Sequence, residues 1–158
     1  MPYRIGNGID FHKLIDGIPL VVGGIIIPFN KGSSGHSDGD ALFHSIVDSI
    51  LGALSLGDIG KYFPSSDSKW KNADSRKFLE FTNKLMIEKG YLIENIDSTI
   101  ILQAPSIQPY ILSIRENIAS ILSISQEQVS VKATTTDKLG FIGSGEGIST
   151  FSSVLLKK

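Results

Sequence analysis

Apolar residues recur at helical spacing in three segments of the chain. In the first segment, Leu42, Ile46 and Ile50 follow one another every fourth residue and would share one face of a helix. Ser37 or Asp38 precedes this pattern and is the predicted N-cap. The three predicted helices cover about residues 39–54, 74–89 and 109–122.

Short runs rich in β-branched residues predict the strands. Gly23-Gly24 lies between two such runs and predicts a hairpin over residues 19–29. Residues 31–40 are predicted to form a loop, and residues 57–73 an irregular surface loop or lid. The remaining predicted strands cover about residues 2–10, 95–103, 129–134 and 146–156.

The order of these elements indicates the fold class. Helices and strands occur in a mixed order, with too few regular βαβ steps for a doubly wound sheet. We therefore predict an α/β chain of the α+β type, with a mixed sheet and helices packed on one face. Its 158 residues favour a single domain over 1–158.

Composition and charge exclude several classes of function. The 15 basic and 16 acidic side chains nearly cancel, which argues against a nucleic-acid binder with a broad basic surface. The chain has no cysteine, so any metal site must use nitrogen and oxygen ligands. No signal peptide or apolar run of transmembrane length is apparent in the sequence. We expect a cytoplasmic protein, or a plastid stromal one if the chain is a mature eukaryotic form, without membrane or nucleic-acid partners.

The strand-like run Gly6–His12 places a carboxylate and an imidazole two residues apart. Side chains at this spacing in a strand point to the same side, so Asp10 and His12 are candidate ligands of one metal ion. His44 lies on the polar ridge of the first predicted helix, with Asp40 and Asp48. One carboxylate, two histidines and an open fourth position are typical of catalytic zinc. The spacing alone equally fits an isolated structural pair and a solvated helix face.

Two further segments contain groups that suit phosphate. His36, Ser37 and the following residues lie at a predicted helix N-terminus, where free N–H groups favour anions. The run from Lys132 to Lys138 offers three threonine hydroxyls and the carboxylate of Asp137, a candidate ligand of Mg²⁺. A capping turn and ordinary β-propensity are the structural alternatives for these two segments.

Six motifs in order together resemble one enzyme family. They are RIGNGIDFH (4–12), GHSDGDALFH (35–44), LGDIGKYFP (56–64), NADS (72–75), ILQAP (101–105) and KATTTDKLGFIGSGEG (132–147). The set is similar to that of the 2-C-methyl-D-erythritol 2,4-cyclodiphosphate synthases of the non-mevalonate isoprenoid pathway, and it covers nearly the whole chain.

The resemblance implies a homotrimer of α/β subunits with active sites at subunit interfaces. It implies a nucleotide-activated substrate, 4-diphosphocytidyl-2-C-methyl-D-erythritol 2-phosphate, which such an enzyme cyclises with release of CMP. It also implies one Zn²⁺ per subunit on Asp10, His12 and His44, and Mg²⁺ or Mn²⁺ on Asp137 together with the diphosphate.

The resemblance further assigns roles to single positions. His36 and Thr135 match residues that stabilise the transition state. The substrate-binding positions implied in the same way are Ser37, Asp58, Ile59, Gly60, Phe63, Leu102, Gln103, Ala104, Pro105, Ala133, Thr134, Thr136 and Phe141.

The chain also departs from the family pattern. Ser144 stands where an arginine often occurs, Ser106 where some relatives have a basic residue, and Ser65 where aspartate is common. The lost charges motivate one alternative, a non-catalytic trimeric module that binds metal or nucleotide. The other alternative is a zinc-dependent phosphoesterase that uses a metal-bound hydroxide.

Overall fold

A five-stranded mixed sheet forms the centre of the computed structural model, which describes residues 2–158. Its strands run in the order β4-β1-β7-β5-β6, and neighbours are antiparallel except β5 and β6, which are parallel. The hairpin β2-β3 forms a separate antiparallel pair. The strands are β1 (Tyr3–Asp16), β2 (Leu20–Val22), β3 (Ile25–Ile27), β4 (Lys31–Ser34), β5 (Leu92–Ile101), β6 (Val129–Thr134) and β7 (Gly147–Lys157).

The three long helices, α1 (Ala41–Ala53), α3 (Arg76–Glu88) and α4 (Ile111–Leu122), lie on one face of this sheet. The short helices are α2 (Ile59–Tyr62) and α5 (Gly140–Gly143), and 3-10 turns lie at Ser68–Trp70, Gln108–Tyr110 and Gln126–Gln128. Helix α1 packs across β1 and β7, and its apolar side chains are buried in the core. The opposite sheet face is exposed in the single chain and carries Ile5, Ile9, Phe11 and Phe151. The predicted fold class is confirmed.

The predicted helices and most predicted strands are confirmed, and the differences fall at segment ends. Strand β1 extends to Asp16 because its last four residues pair with β4. Strand β4 itself lies within residues 31–40, which were predicted to form a loop. The N-cap of α1 is Asp40, so the prediction of Ser37 or Asp38 was wrong. The irregular segment 57–73 contains the short helix α2 and one 3-10 turn. Among residues 2–158, no helix is both long and apolar enough to cross a membrane.

Two glycines of β1 allow α1 to approach the sheet closely. Gly6 and Gly8 point at the backbone of the helix, and a Cβ at Gly8 would lie 2.1 Å from the Ser45 carbonyl oxygen. Small hydroxyl side chains fill the adjoining space, since Ser45 Oγ lies 2.7 Å from Ser152 Oγ. The resulting short distance between helix and strand brings the side chains of α1 to those of β1.

Asp40 ties the start of α1 to the β2-β3 hairpin. Its Oδ1 accepts hydrogen bonds from the backbone N–H groups of Gly23, at 3.0 Å, and Phe43, at 3.1 Å, and its Oδ2 accepts from Gly24 at 2.6 Å. The side chain is fully buried. Burial raises the pKa of this carboxyl to about 6, although the three N–H donors oppose the rise.

Replacing Asp40 with asparagine should destabilise the fold by about 2 kcal/mol, because the new amide NH₂ would face backbone donors and leave at least one of them unpaired. Urea unfolding of the metal-free protein measures this cost. Asp58→Asn, at the exposed cap of α2, is the control, and we expect a cost below about 1 kcal/mol there. Equal stabilities of Asp40→Asn and the parent chain would contradict the prediction.

The same variant should show a pH dependence with a defined sign. A carboxyl whose pKa is raised by folding stabilises the protein fully below its unfolded pKa, 3.8, and this contribution is lost as the pH rises through about 6. The cost of Asp40→Asn should therefore be largest near pH 4 and shrink as the pH rises to 7. Urea unfolding of both proteins across this range tests the sign, and a cost that grows with pH would contradict it.

Candidate active site

Strand β1 and helix α1 bring three ligand atoms together. Asp10 Oδ2 lies 2.8 Å from His12 Nε2 and 3.2 Å from His44 Nδ1, and the two imidazole nitrogens are 3.2 Å apart. Asp10 and His12 point to the same side of β1, as their spacing predicted. His44 is only 8% exposed, yet both of its ring nitrogens meet polar groups.

Hydrogen bonds on the far side of each ring indicate which nitrogens are free for a metal. His12 Nδ1 lies 2.9 Å from the Ser34 carbonyl oxygen, which can only accept, so the proton of a neutral ring lies on Nδ1. His44 Nε2 lies 2.9 Å from Ser75 Oγ and 3.0 Å from Ser37 Oγ. The lone pairs of His12 Nε2 and His44 Nδ1 then converge on the Asp10 carboxylate.

Such a group of three acceptor atoms fits a divalent cation. Lone pairs that converge within about 3 Å repel one another unless a proton or a metal lies between them. Two imidazoles and one carboxylate that lie within 4.8 Å of one another suit zinc-like ions, and the second hydrogen bond of each ring is the usual support of a histidine ligand.

The electrostatics of the cluster favour the charged carboxylate. Burial alone would raise the pKa of Asp10, but hydrogen bonds and charge attraction from His12 and His44 outweigh it, so the pKa lies below its ordinary value. Burial likewise opposes the charged form of His12, yet the adjacent Asp10 raises its pKa above 6.5. The Asp10 carboxylate therefore stays negatively charged and attracts a positive charge to the site.

A cavity of about 210 Å³ opens beside the cluster. One wall is aromatic: Phe63 stacks on Phe78 at 4.3 Å between ring centroids and meets Trp70 edge-on at 5.0 Å. The full lining is His12, His36, Ser37, His44, Ile59, Gly60, Phe63, Ser65, Trp70 and Phe78. A small ligand here would have polar groups at one end and an apolar wall beside it.

Polar residues near this cavity have structural partners of their own. His36 Nε2 lies 3.1 Å from the Asp67 carbonyl oxygen, which ties the imidazole to the loop that precedes Trp70. Asp58 caps α2 through the Lys61 N–H. Asp48 accepts a hydrogen bond from the Ile59 N–H at 2.7 Å, so it positions α2 at the cavity edge.

The predicted nucleotide-binding residues lie at a second place in the chain. A cavity of about 260 Å³ forms where β5 and β6 end. In the sheet, β7 separates these strands from β1, which carries Asp10 and His12. Its lining is Leu102, Gln103, Pro105, Ser106, Ile107, Gln108, Ala133, Thr134 and Thr135. The single chain thus does not bring the predicted catalytic pair, His36 and Thr135, into one cavity.

The segment after β6 carries the remaining predicted residues. Asp137 has a positive φ of 51° and an exposed side chain, and its N–H donates to Thr135 Oγ1. Thr136 Oγ1 donates to the Leu139 carbonyl oxygen, and Ala104 precedes a cis Pro105. Phe141 lies apart from these residues and packs near Phe11 at 6.2 Å between centroids.

Sequence reasoning missed the groups that support the two histidines. The Ser34 acceptor is a backbone carbonyl, so no residue type could have indicated it. Ser75 belongs to the NADS motif, but no local pattern linked it to His44, 31 residues away. Asp38, predicted as a helix cap, instead accepts hydrogen bonds from the hydroxyl and the N–H of Ser75.

Comparison with known proteins gives matches over nearly the whole chain. The YgbB family model matches residues 3–157. The 2-C-methyl-D-erythritol 2,4-cyclodiphosphate synthase of Clostridium perfringens is 56% identical over 155 residues, which are 98% of this chain and 99% of that protein.

Two solved structures share the fold. IspF of Plasmodium falciparum, in a CDP complex, matches with a TM-score of 0.88 and 41% identity over 99% of this chain and 96% of its own. The bifunctional IspDF from Campylobacter jejuni matches with a TM-score of 0.95 and 42% identity over 98% of this chain. This chain spans 42% of the length of that longer protein.

Proposed function

The chain belongs to the YgbB family, and we propose from this membership that it converts 4-diphosphocytidyl-2-C-methyl-D-erythritol 2-phosphate to 2-C-methyl-D-erythritol 2,4-cyclodiphosphate. It is a phosphorus–oxygen lyase of the non-mevalonate route to isoprenoids. The observation that carries this proposal is the Asp10–His12–His44 cluster at the edge of a cavity with one aromatic wall. With a metal ion bound at the cluster, that cavity would offer a positively charged end for phosphate and an apolar wall for a branched, methyl-bearing carbon skeleton.

The reaction exchanges one phosphorus–oxygen bond for another. An oxygen of the 2-phosphate attacks the β-phosphorus of the diphosphate, the bond from that phosphorus to the CMP oxygen breaks, and CMP leaves with the electron pair. When bound, Zn²⁺ on Asp10, His12 and His44 and Mg²⁺ on Asp137 would supply Lewis-acid polarisation and charge neutralisation at the phosphates. The chain's own contribution is mainly positioning and electrostatic stabilisation.

The side chains around the cavity beside the cluster would contact different parts of the substrate. His36 and Ser37 line the space beside the cluster, where the phosphates would lie. Asp58, Ile59 and Gly60 form the α2 edge, suited to the hydroxyls of the tetrol, and Phe63 excludes water from the apolar side.

The second cavity suits the cytidine half of the substrate. Leu102, Gln103 and Pro105 line one edge, and Ala104 lies between them in the chain. On the other side, Ala133 and Thr134 belong to β6 and Thr136 follows it. Backbone groups at these strand ends would read the base, and Thr135 would contact the diphosphate. The CDP bound to the Plasmodium falciparum relative supports a nucleotide site in this fold.

We propose a homotrimer in which neighbouring copies complete each site. The cluster on β1 and α1 and the nucleotide cavity at the ends of β5 and β6 are separate in one chain, so one substrate spans them most simply across an interface between two copies. The exposed apolar stripe of Ile5, Ile9, Phe11 and Phe151 supports burial of this sheet face by association.

Ile9→Asp should dissociate the assembly into monomers. Ile9 is 51% exposed in the single chain and pairs with Phe151, so a carboxylate at the centre of the stripe would have to be desolvated in the trimer. Light scattering coupled to size-exclusion chromatography measures the mass. Ile87→Asp is the control, because Ile87 is 52% exposed but lies on α3, away from the stripe. An Ile9→Asp variant with the mass of the parent assembly would contradict the prediction.

The activity is tested by incubating purified protein and both metals with the substrate. We expect CMP and the cyclic diphosphate in equal amounts, and no solvent oxygen in the product. Linear phosphates that carry solvent ¹⁸O would instead indicate a phosphoesterase. Tight CMP binding without turnover would indicate a non-catalytic module.

A further inference from the structure

The hydroxyl of Ser75 faces the Asp10–His12–His44 cluster, although the residue lies at the start of α3. Serine at this position usually caps the helix through its own side chain. Here the Ser75 Oγ lies 2.9 Å from His44 Nε2 and donates to Asp38 Oδ1. Ser75 is completely buried, so these contacts are made away from solvent. The hydroxyl thus forms hydrogen bonds beside the cluster and does not cap the helix.

The direction of each hydrogen bond in this chain follows from chemistry. A carboxylate only accepts, so the Ser75 hydroxyl must donate its hydrogen bond to Asp38. The Ser75 oxygen then has no further hydrogen to donate, so it can only accept a hydrogen bond from His44 Nε2–H. A neutral His44 with its proton on Nε2 presents a bare Nδ1 to Asp10 and His12.

Hydrogen bonds from the backbone keep Asp38 in the position that fixes the direction of the Ser75 hydrogen bond. Its Oδ2 accepts from the Ser75 N–H at 3.1 Å, and its Oδ1 also accepts from the Asp40 N–H at 3.2 Å. Backbone hydrogen bonds join the same two segments, from Asp38 N–H to the Ala73 carbonyl oxygen at 3.0 Å and from Asn72 N–H to the His36 carbonyl oxygen at 2.8 Å. These hydrogen bonds join segments 36–38 and 72–75 beside the cluster.

We propose that Ser75, oriented by Asp38, is a positioning residue that fixes the tautomer and ring orientation of His44 and so prepares Nδ1 for the metal. The inference rests on the proposed metal site. Ser37 Oγ also reaches His44 Nε2, at 3.0 Å, but it has no carboxylate to fix the direction of its proton. Ser37 Oγ also lies 3.3 Å from Ser75 Oγ, and the Ser37 hydroxyl can donate in that contact.

Ser75→Ala tests the proposal through metal affinity, measured by competition with a chromophoric chelator on metal-free protein. We expect Zn²⁺ affinity to fall about 10- to 100-fold, the usual effect of removing such a partner of a histidine ligand. Asp38 keeps the Ser75 and Asp40 N–H donors, so the metal-free variant should fold and melt like the parent chain.

Ser49→Ala is the matched control, because Ser49 is equally buried and its hydroxyl donates to the Ile46 carbonyl oxygen, away from the cluster. It should bind Zn²⁺ like the parent chain. Long-range ¹H–¹⁵N spectra of the metal-free proteins give a second readout: His44 should be the Nε2–H tautomer in the parent chain and a mixture in Ser75→Ala.

Unchanged affinity and an unchanged tautomer in Ser75→Ala would overturn the positioning role while the parent chain still binds Zn²⁺. Affinity that falls only together with the stability of the metal-free protein would also overturn it. Failure of the parent chain itself to bind Zn²⁺ would instead refute the proposed metal site.

Discussion

His12→Ala is expected to abolish zinc binding and turnover together. The substitution leaves Asp10 and His44 as a two-ligand site, and it also removes the ring that the Ser34 carbonyl oxygen orients. A Lewis-acid metal contributes several kcal/mol to such a reaction, so its loss should lower turnover by at least about 10³-fold. Metal content by mass spectrometry and CMP release, measured on the same preparation, check the two effects.

His36→Ala separates metal binding from the rest of the chemistry. This imidazole lines the same cavity but points at the Asp67 carbonyl oxygen, so the variant should keep its zinc while turnover falls. His44→Ala should behave like His12→Ala. Full activity of either ligand variant without bound metal would refute the role of the cluster.

Local sequence patterns predicted the elements whose side chains alternate or repeat strongly. Helix α1 and strand β6 lie almost where the apolar spacing placed them. Strand β4 was missed because its sequence, Lys31-Gly32-Ser33-Ser34, has no strand signature and owes its conformation to pairing with β1. The N-cap of α1 was misplaced because Asp40 caps the helix while it also binds the distant hairpin at Gly23.

Only those parts of the candidate site that lie close together in the sequence could be predicted from it. Asp10 and His12 follow from a two-residue spacing in a strand, whereas His44 joins them only after α1 packs across β1. The support from Ser75 and from the Ser34 carbonyl oxygen depends on contacts between distant segments. Spacing carries no information about such contacts.

Gly8→Ala is expected to damage the fold and the metal site at once. A Cβ at this position would lie 2.1 Å from the Ser45 carbonyl oxygen and 2.9 Å from the Ser49 N–H nitrogen, both in the backbone of α1. Side-chain rotation cannot relieve contacts with a helix backbone, so α1 must move away from β1. Overpacking of this severity should cost about 3 kcal/mol or more. His44 directly precedes Ser45, so the same movement should separate its Nδ1 from Asp10 and weaken zinc binding more than about tenfold.

Gly52→Ala distinguishes this steric effect from a general intolerance of α1 to larger residues. A Cβ at Gly52 would have its nearest neighbour, the Asn7 carbonyl oxygen, at an ordinary 3.7 Å. Alanine is the better helix former, so this variant should be as stable as the parent chain or more stable, by up to about 1 kcal/mol. Urea unfolding and chelator competition, applied to both variants, check the contrast. A Gly8→Ala protein that unfolds and binds zinc like Gly52→Ala would show that the backbone contact between β1 and α1 does not position His44.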